Sequence, residues 1–252
     1  MSQRSNPARE ETVPGTKIAD LLVLFERNPA CASRPRRCRR GRRRFHARRS
    51  AHPGCRERPP GDTIALPVRD ALTALALQAE DRTGYERTKF RHWIDADRDG
   101  CSTRLEVLIE EAITAPEQGA NCALTGGSLY SPYDDAYFTQ ARALDIDHLV
   151  PLAEAWDSGA SAWTTAERQA YANDLDDARA LIAVSAASNR SKADQDPTTW
   201  QPPATGYRCS YATDWVAIKT RWSLAVDPAE QAAISDILDT CPNAPIKVTL
   251  AR

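Results

Sequence analysis

Hydrophobic and polar positions change character sharply near residue 60. Before it the apolar residues follow no period, and Phe25 and Phe45 are the only aromatics. From Ile64 onward the pattern becomes regular. The stretch PVRDALTALALQAE places Val68, Leu72, Leu75 and Ala79 on one helical face. Arg82-Thr83-Gly84 interrupts it, and Tyr85 to Ile94 reads as a second helix anchored by Tyr85, Phe90 and Trp93. RLEVLIEEA continues as a further helix, and Gly126-Gly127 marks a turn between short strands at Ala123-Leu124 and Ser128 to Tyr130.

The second half of the chain is more strongly patterned. Leu144 to His148 alternates apolar and acidic residues, which is a strand period. Pro151 then opens a helix through Leu152, Ala153 and Trp156 that Gly159 ends. Thr164-Thr165-Ala166-Glu167 has the form of a capping box and starts a helix through Tyr171. The apolar run Ala180 to Val184 reads as a strand, followed by a polar helical segment with Asn189, Arg190 and Lys192. Pro197 to Pro203 forms a rigid loop around Trp200. Two terminal helices follow, Asp214 to Ser223 and Pro228 to Cys241, and the tail after Pro242 carries no clear pattern. We read these elements together as an α+β fold, with a small strand–strand–helix core among helices.

Charge divides the chain as sharply as hydropathy does. The net charge of −1 hides twelve arginines against the single acid Glu57 between residues 34 and 58, which leaves about −12 on the remainder. Residues 1–60 therefore read as a disordered Arg/Pro-rich arm, with residues 61–252 as the folded domain. Two readings of the arm stand side by side: a phosphate-gripping extension, or mis-started translation standing in place of a signal peptide. The apolar stretch Ile18 to Phe25 is short and broken by Asp20, so it makes a poor signal peptide, and no run reaches membrane-spanning length.

Seven cysteines fall into two groups, Cys31, Cys38 and Cys55 in the arm and Cys101, Cys122, Cys209 and Cys241 in the body. The lack of any C-x-x-C pair argues against structural zinc. Four body cysteines point to two disulfides, Cys101–Cys122 and Cys209–Cys241, and hence to an oxidising compartment. Between the second and third predicted helices, Asp95 to Glu106 fits the D-x-D-x-D-G-x₅-E calcium loop. Asp95, Asp97 and Asp99, the Cys101 carbonyl and Glu106 would be the ligands. Ser102 departs from that pattern, where an aliphatic residue is usual. An acidic turn without an ion is the alternative, with Arg104 then free to contact phosphate.

The chemistry concentrates between residues 144 and 196. Asp147 and the Asn189 amide offer hard oxygen ligands for Mg²⁺ or Mn²⁺, with Asp145 as a further candidate. His148 can take a proton from water near neutral pH. Lys192 supplies a point charge for phosphate. These groups suit metal-assisted hydrolysis of a phosphodiester.

D-x-D-H-x-x-P, then N-D-L, then N-R-S-K-x-D resembles the HNH (ββα-metal) nucleases. It is similar to the HNH domains of the CRISPR effector nucleases and of GmrSD-type restriction endonucleases, and to small actinobacterial HNH endonuclease family proteins, many of them secreted. The likeness covers about Tyr85 to Cys241. It implies a ββα-metal core at about 143–196 embedded in a mainly helical domain. His148 matches the general base, Asp147 a metal ligand, Asn173 the central Asn bracing the His-bearing loop, and Asn189 the last metal ligand. The third motif letter is thus Asn rather than His. The resulting expectation is a secreted, monomeric, metal-dependent endonuclease acting on DNA, with RNA as a second substrate and no membrane partner. The competing expectation is a calcium-binding, nucleic-acid-associated module without catalysis.

Overall fold

Two buried strands and the short helix that follows them carry the part of the molecule relevant to function. The computed structural model describes residues 59–252. The expectations for the basic arm, for Ile18 to Phe25 and for Cys31, Cys38 and Cys55 lie outside the described residues. In chain order the elements are β1 (Thr63–Pro67), α1 (Val68–Ala74), α2 (Thr103–Glu110), β2 (Glu117–Gln118), β3 (Leu124–Thr125), β4 (Leu129–Ser131) and β5 (Ala136–Phe138). They continue with β6 (Leu144–His148), α3 (Leu152–Asp157), α4 (Thr165–Tyr171), β7 (Leu181–Ser185), α5 (Ala186–Lys192), α6 (Arg208–Arg221), α7 (Pro228–Asp239) and β8 (Pro245–Thr249). The strands form four antiparallel pairs, β1–β8, β2–β3, β4–β5 and β6–β7. Helices beside small sheets agree with the α+β expectation at this level.

The core is built around α6 and the β6–β7 pair. Tyr211, Ala212, Trp215, Val216 and Ala217 of α6 are fully enclosed. Leu144, Leu181, Ala183 and Val184 line the sheet, with Ile146 opposite Ala183 and His148 opposite Leu181. Burial of each large apolar side chain here stabilises the fold by about 1.5–3 kcal/mol. Glu111, just past α2, accepts the Ala183 N–H at 2.8 Å and so ties that helix to the middle of β7.

Several sequence expectations need correction. The first helix ends at Ala74, because residues 76–78 run extended and bond to Val226 through Gln78 N–H and the Ala76 carbonyl. The expected Tyr85 to Ile94 helix is a single 3₁₀ turn at Arg87–Lys89. There the Asn173 side chain takes the backbone of Arg91 and Ile94, and Trp93 has φ of 58°, so tertiary bonds replace helical ones. The Gly126-Gly127 turn exists, but its flanking strands pair outward, β3 with β2 and β4 with β5. A Cβ on Gly127 would lie 2.8 Å from the Thr114 carbonyl, so only glycine fits. The tail is not patternless: Ile246 and Val248 are buried on alternate positions of β8.

The expected capping box at Thr164 is present, and the structure adds a second. Thr164 and Glu167 cap α4 reciprocally, and Asp227 and Glu230 do the same for α7 with Pro228 in the first turn. Both expected disulfides form, Cys101–Cys122 and Cys209–Cys241, with Cα separations of 5.2 and 5.7 Å. The second staples the start of α6 to the end of α7.

Two predictions follow from this packing. Replacing Cys209 and Cys241 by Ser should cost about 3 kcal/mol in urea unfolding, by releasing a long loop in the unfolded chain. Burial lifts the Glu111 carboxyl to about 7, against the opposing Ala183 N–H bond. A raised folded-state value means that this group's contribution is complete below pH 4.5 and lost as pH rises through 7. Glu111→Gln keeps an acceptor for Ala183 and should flatten that pH dependence by on the order of 2 kcal/mol in melts at pH 5 and pH 8.

Candidate active site

Alternation along β6 sends Asp145 and Asp147 toward α5, and the strand ends on His148. β7 lies beside it, and α5 starts at once because the Ser185 side chain caps it by accepting the Ser188 N–H at 3.1 Å. The short helix folds back over β6 and brings Asn189, Arg190 and Lys192 to the carboxylates. A cavity of about 210 Å³ opens at this end, lined among others by Arg87, Asp147, His148, Asn189, Arg190 and Asp194.

His148 is 5% exposed and held in one orientation. Its Nε2 lies 3.0 Å from the Ala172 carbonyl, which can only accept, so this nitrogen carries the proton. Trp93 packs against the ring at a centroid distance of 5.2 Å, and Tyr171 lies parallel to it at 6.5 Å. Burial is the main reason its pKa falls to about 3; the Ala172 bond opposes the shift, while Arg87, His92 and Lys192 add to it. The ring is therefore neutral at ordinary pH. Among the described residues Nδ1 has no hydrogen-bond partner, and it is not among their sealed, unpartnered side-chain atoms, which are Arg69 Nε, Asp157 Oδ1 and Tyr211 OH. The Nδ1 lone pair thus stays open to the cavity.

Asp147 is almost enclosed. Its Oδ2 accepts the Tyr133 hydroxyl at 2.6 Å and the Lys192 ammonium at 2.7 Å, leaving Oδ1 toward the cavity. Burial pushes the Asp147 pKa up and the Lys192 pKa down, and their mutual attraction opposes both shifts. Asp145 is partly exposed, 3.5 Å from Asn189 Nδ2 and 3.7 Å from Arg190 Nε.

Two expected phosphate contacts need correction. Lys192 has no exposed surface, and its ammonium is bound by Asp147 and the His148 carbonyl, so it cannot reach a phosphate. Arg104 donates to the Leu144 carbonyl at 2.8 Å and anchors the start of β6 to α2. The cations that do line the cavity are Arg87 and Arg190. Arg87 sits in a turn some sixty residues before the motif, and no local sequence signal marks it.

The Asn173 side chain makes no hydrogen bond to His148. Its Oδ1 accepts from Ile94 N–H at 3.1 Å and Thr103 at 3.0 Å, and its Nδ2 donates to Arg91 and Gln169 at 2.7 Å each. Beside it, Asp174 is gripped by Arg221 and Trp222. Together they lock the backbone whose Ala172 carbonyl orients the imidazole, so the bracing is indirect.

In the acidic loop, oxygens of Asp95, Asp97 and Asp99 lie within 4.8 Å of one another. Asp95 accepts from Arg98 and Gly100 N–H, and Asp99 from Cys101 N–H. Gly100 takes φ of +97° at the turn. Glu106 lies outside that group, in the first turn of α2. Its pKa is raised by burial and then by the three aspartates. The loop and the His148 cavity are separate features.

The buried pair and the exposed pair should respond differently to mutation. Lys192→Met strands the Asp147 charge and should cost about 3–5 kcal/mol in urea unfolding. The Arg190 side chain is 77% exposed, so Arg190→Ala should change stability by less than about 0.5 kcal/mol.

Comparison with known proteins bears on the site as a whole. The C-terminal domain of the GmrSD restriction endonucleases matches residues 102–237, a span that includes β6, β7 and α5. A protein of Arthroderma benhamiae described as an uncharacterized secreted protein is 42% identical over 184 residues, covering 73% of this chain and 89% of that protein. No solved structure matches the chain. None of the described helices is long and apolar enough to cross a membrane. A nuclease-related function, with the nucleic-acid substrate and divalent metal that it implies, follows from this match, and the chain belongs to the family of the C-terminal domain of the GmrSD restriction endonucleases.

Proposed function

We propose that the protein is an endonuclease of the HNH (ββα-metal) type that hydrolyses phosphodiester bonds of DNA, with RNA as a second substrate. The observation that carries this reading is the open Nδ1 of a neutral, fixed His148 in the same cavity as Asp147 and Asn189. The donor set fits a small hydrated cation such as Mg²⁺ or Mn²⁺. One oxygen of Asp147 and the Asn189 amide face a cavity with room for water and phosphate, and Asp145 adjoins it. A cation held by these residues supplies positive charge for the phosphate and the departing oxygen.

The chain's own groups account for the rest. Arg87 and Arg190 hold the phosphodiester by its charge. His148 takes a proton at Nδ1 from water as the water oxygen attacks phosphorus and the P–O3′ bond breaks; solvent protonates the leaving oxygen. The Lys192 and Tyr133 contacts keep Asp147 oriented. Asn173 and Asp174, through Ala172, keep the imidazole aimed. The two disulfides and the secreted relative support an extracellular protein, and it acts as a monomer. Calcium at the Asp95, Asp97, Asp99 and Glu106 loop, with the Cys101 carbonyl, would stabilise the segment that Asn173 grips. A binding module without catalysis gives no reason for an open imidazole nitrogen beside these ligands.

Plasmid cleavage with Mg²⁺, Mn²⁺ or EDTA tests the reading. His148→Ala should lose about 10²–10⁴-fold in rate while its circular dichroism stays that of the parent. Arg87→Ala should weaken substrate binding most at low salt and flatten its salt dependence. Undiminished cleavage by His148→Ala would overturn the assignment.

A further inference from the structure

A second acidic centre lies outside the His148 cavity, farther along α3, beside a cavity that shares Asp194 with it. Oxygens of Glu80, Glu154 and Asp157 approach within 4.8 Å of one another, beside an open cavity of about 510 Å³ that Glu80 and Glu154 line. Asp157 is 2% exposed, and its Oδ1 is sealed from solvent with no hydrogen-bond partner, while Oδ2 is held by Arg82 at 2.5 Å. A buried carboxylate oxygen without a donor is costly. This one belongs to a group whose other members are also carboxylates.

The neighbouring charges do not balance. Lys219 is fully enclosed between Glu154 at 2.7 Å and Glu230 at 2.6 Å, and Arg82 is bound to Asp157. Four carboxylates, those of Glu80, Glu154, Asp157 and Glu230, thus face two cations. Carboxylates outnumber cations on the side where Glu80 is exposed, hydrogen-bonded to Glu154, and the cavity opens. We infer that Glu80, Glu154 and Asp157 form a divalent-cation site, with calcium as its fitting occupant. Calcium takes carboxylate oxygens at 2.3–2.6 Å, so oxygens up to about 4.8 Å apart can share one ion, and it tolerates irregular, partly hydrated shells. Bound there, it gives the stranded Asp157 oxygen a partner and cancels the excess charge. It also joins Glu80, in the segment after α1, to Glu154 and Asp157 on α3, the helix that follows directly from His148 and Pro151. The site is independent of the nuclease reading, because none of its residues lines the His148 cavity.

The acidic loop is a separate calcium candidate, so the test silences it first. In full-length protein carrying Asp95→Asn, Asp97→Asn and Asp99→Asn, with Asn189→Ala added to disable the proposed catalytic cation site, calorimetric titration with CaCl₂ should still show one ion bound, and calcium should raise the melting temperature. Adding Glu80→Gln should weaken that binding by about tenfold or more. Glu80 is exposed, so this variant should fold, and its melt in EDTA should equal or exceed the parent's because a repulsive charge is gone. Asp157→Asn checks the buried ligand and should also reduce affinity. Failure of the loop-silenced protein to bind calcium, or binding that Glu80→Gln leaves unchanged, would overturn the proposal.

Discussion

A lysine ammonium with no exposed surface, 2.7 Å from the Asp147 carboxylate, fixes α5 on β6. Charges removed from water must be paired closely or they unfold the site. Tyr133 and the His148 carbonyl complete the pairing, so the helix can occupy one position only. That position puts Asn189 over the strand end and leaves one Asp147 oxygen toward the cavity. The geometry read here as a metal-binding edge thus depends on an ion pair that cannot itself touch substrate.

The imidazole is held by similar means. Burial and aromatic packing keep His148 neutral, and a backbone carbonyl selects its tautomer. The carbonyl belongs to Ala172, a residue with no chemistry of its own. Its precision comes from its neighbours, Asn173 clamping the segment around Arg91 and Ile94, and Asp174 clamping α6 through Arg221. Glu111 and Arg104 perform the same service for β7 and β6. Most polar residues close to the site therefore position backbone, and few face the cavity.

Buried charge recurs beyond that site. Lys219 joins α6 to α3 and α7 through Glu154 and Glu230, and Trp215 donates to Glu230 at 2.5 Å. An acidic body gains from such enclosed cations, each of which offsets neighbouring carboxylates that would otherwise repel.

The strand–strand–helix order, the Thr164–Glu167 capping box, the helix after Pro151 and the two cysteine pairs were legible in the sequence, because each depends on short-range rules: period, cap chemistry and the count of cysteines in an oxidised body. The grouping of Asp147, His148 and Asn189 was legible as a spaced motif. Only the tertiary structure decided the rest. It ended α1 early and unwound the Tyr85 to Ile94 segment, since hydrogen bonds to Val226 and Asn173 outcompete weak helix periodicity. It bound Lys192 to Asp147 and Arg104 to the Leu144 carbonyl and set Arg87 in the cavity wall, because a side chain's burial and partners are fixed by residues that lie tens of positions away. β1 pairs with β8 across nearly the whole domain, and no local pattern encodes a partner at that distance.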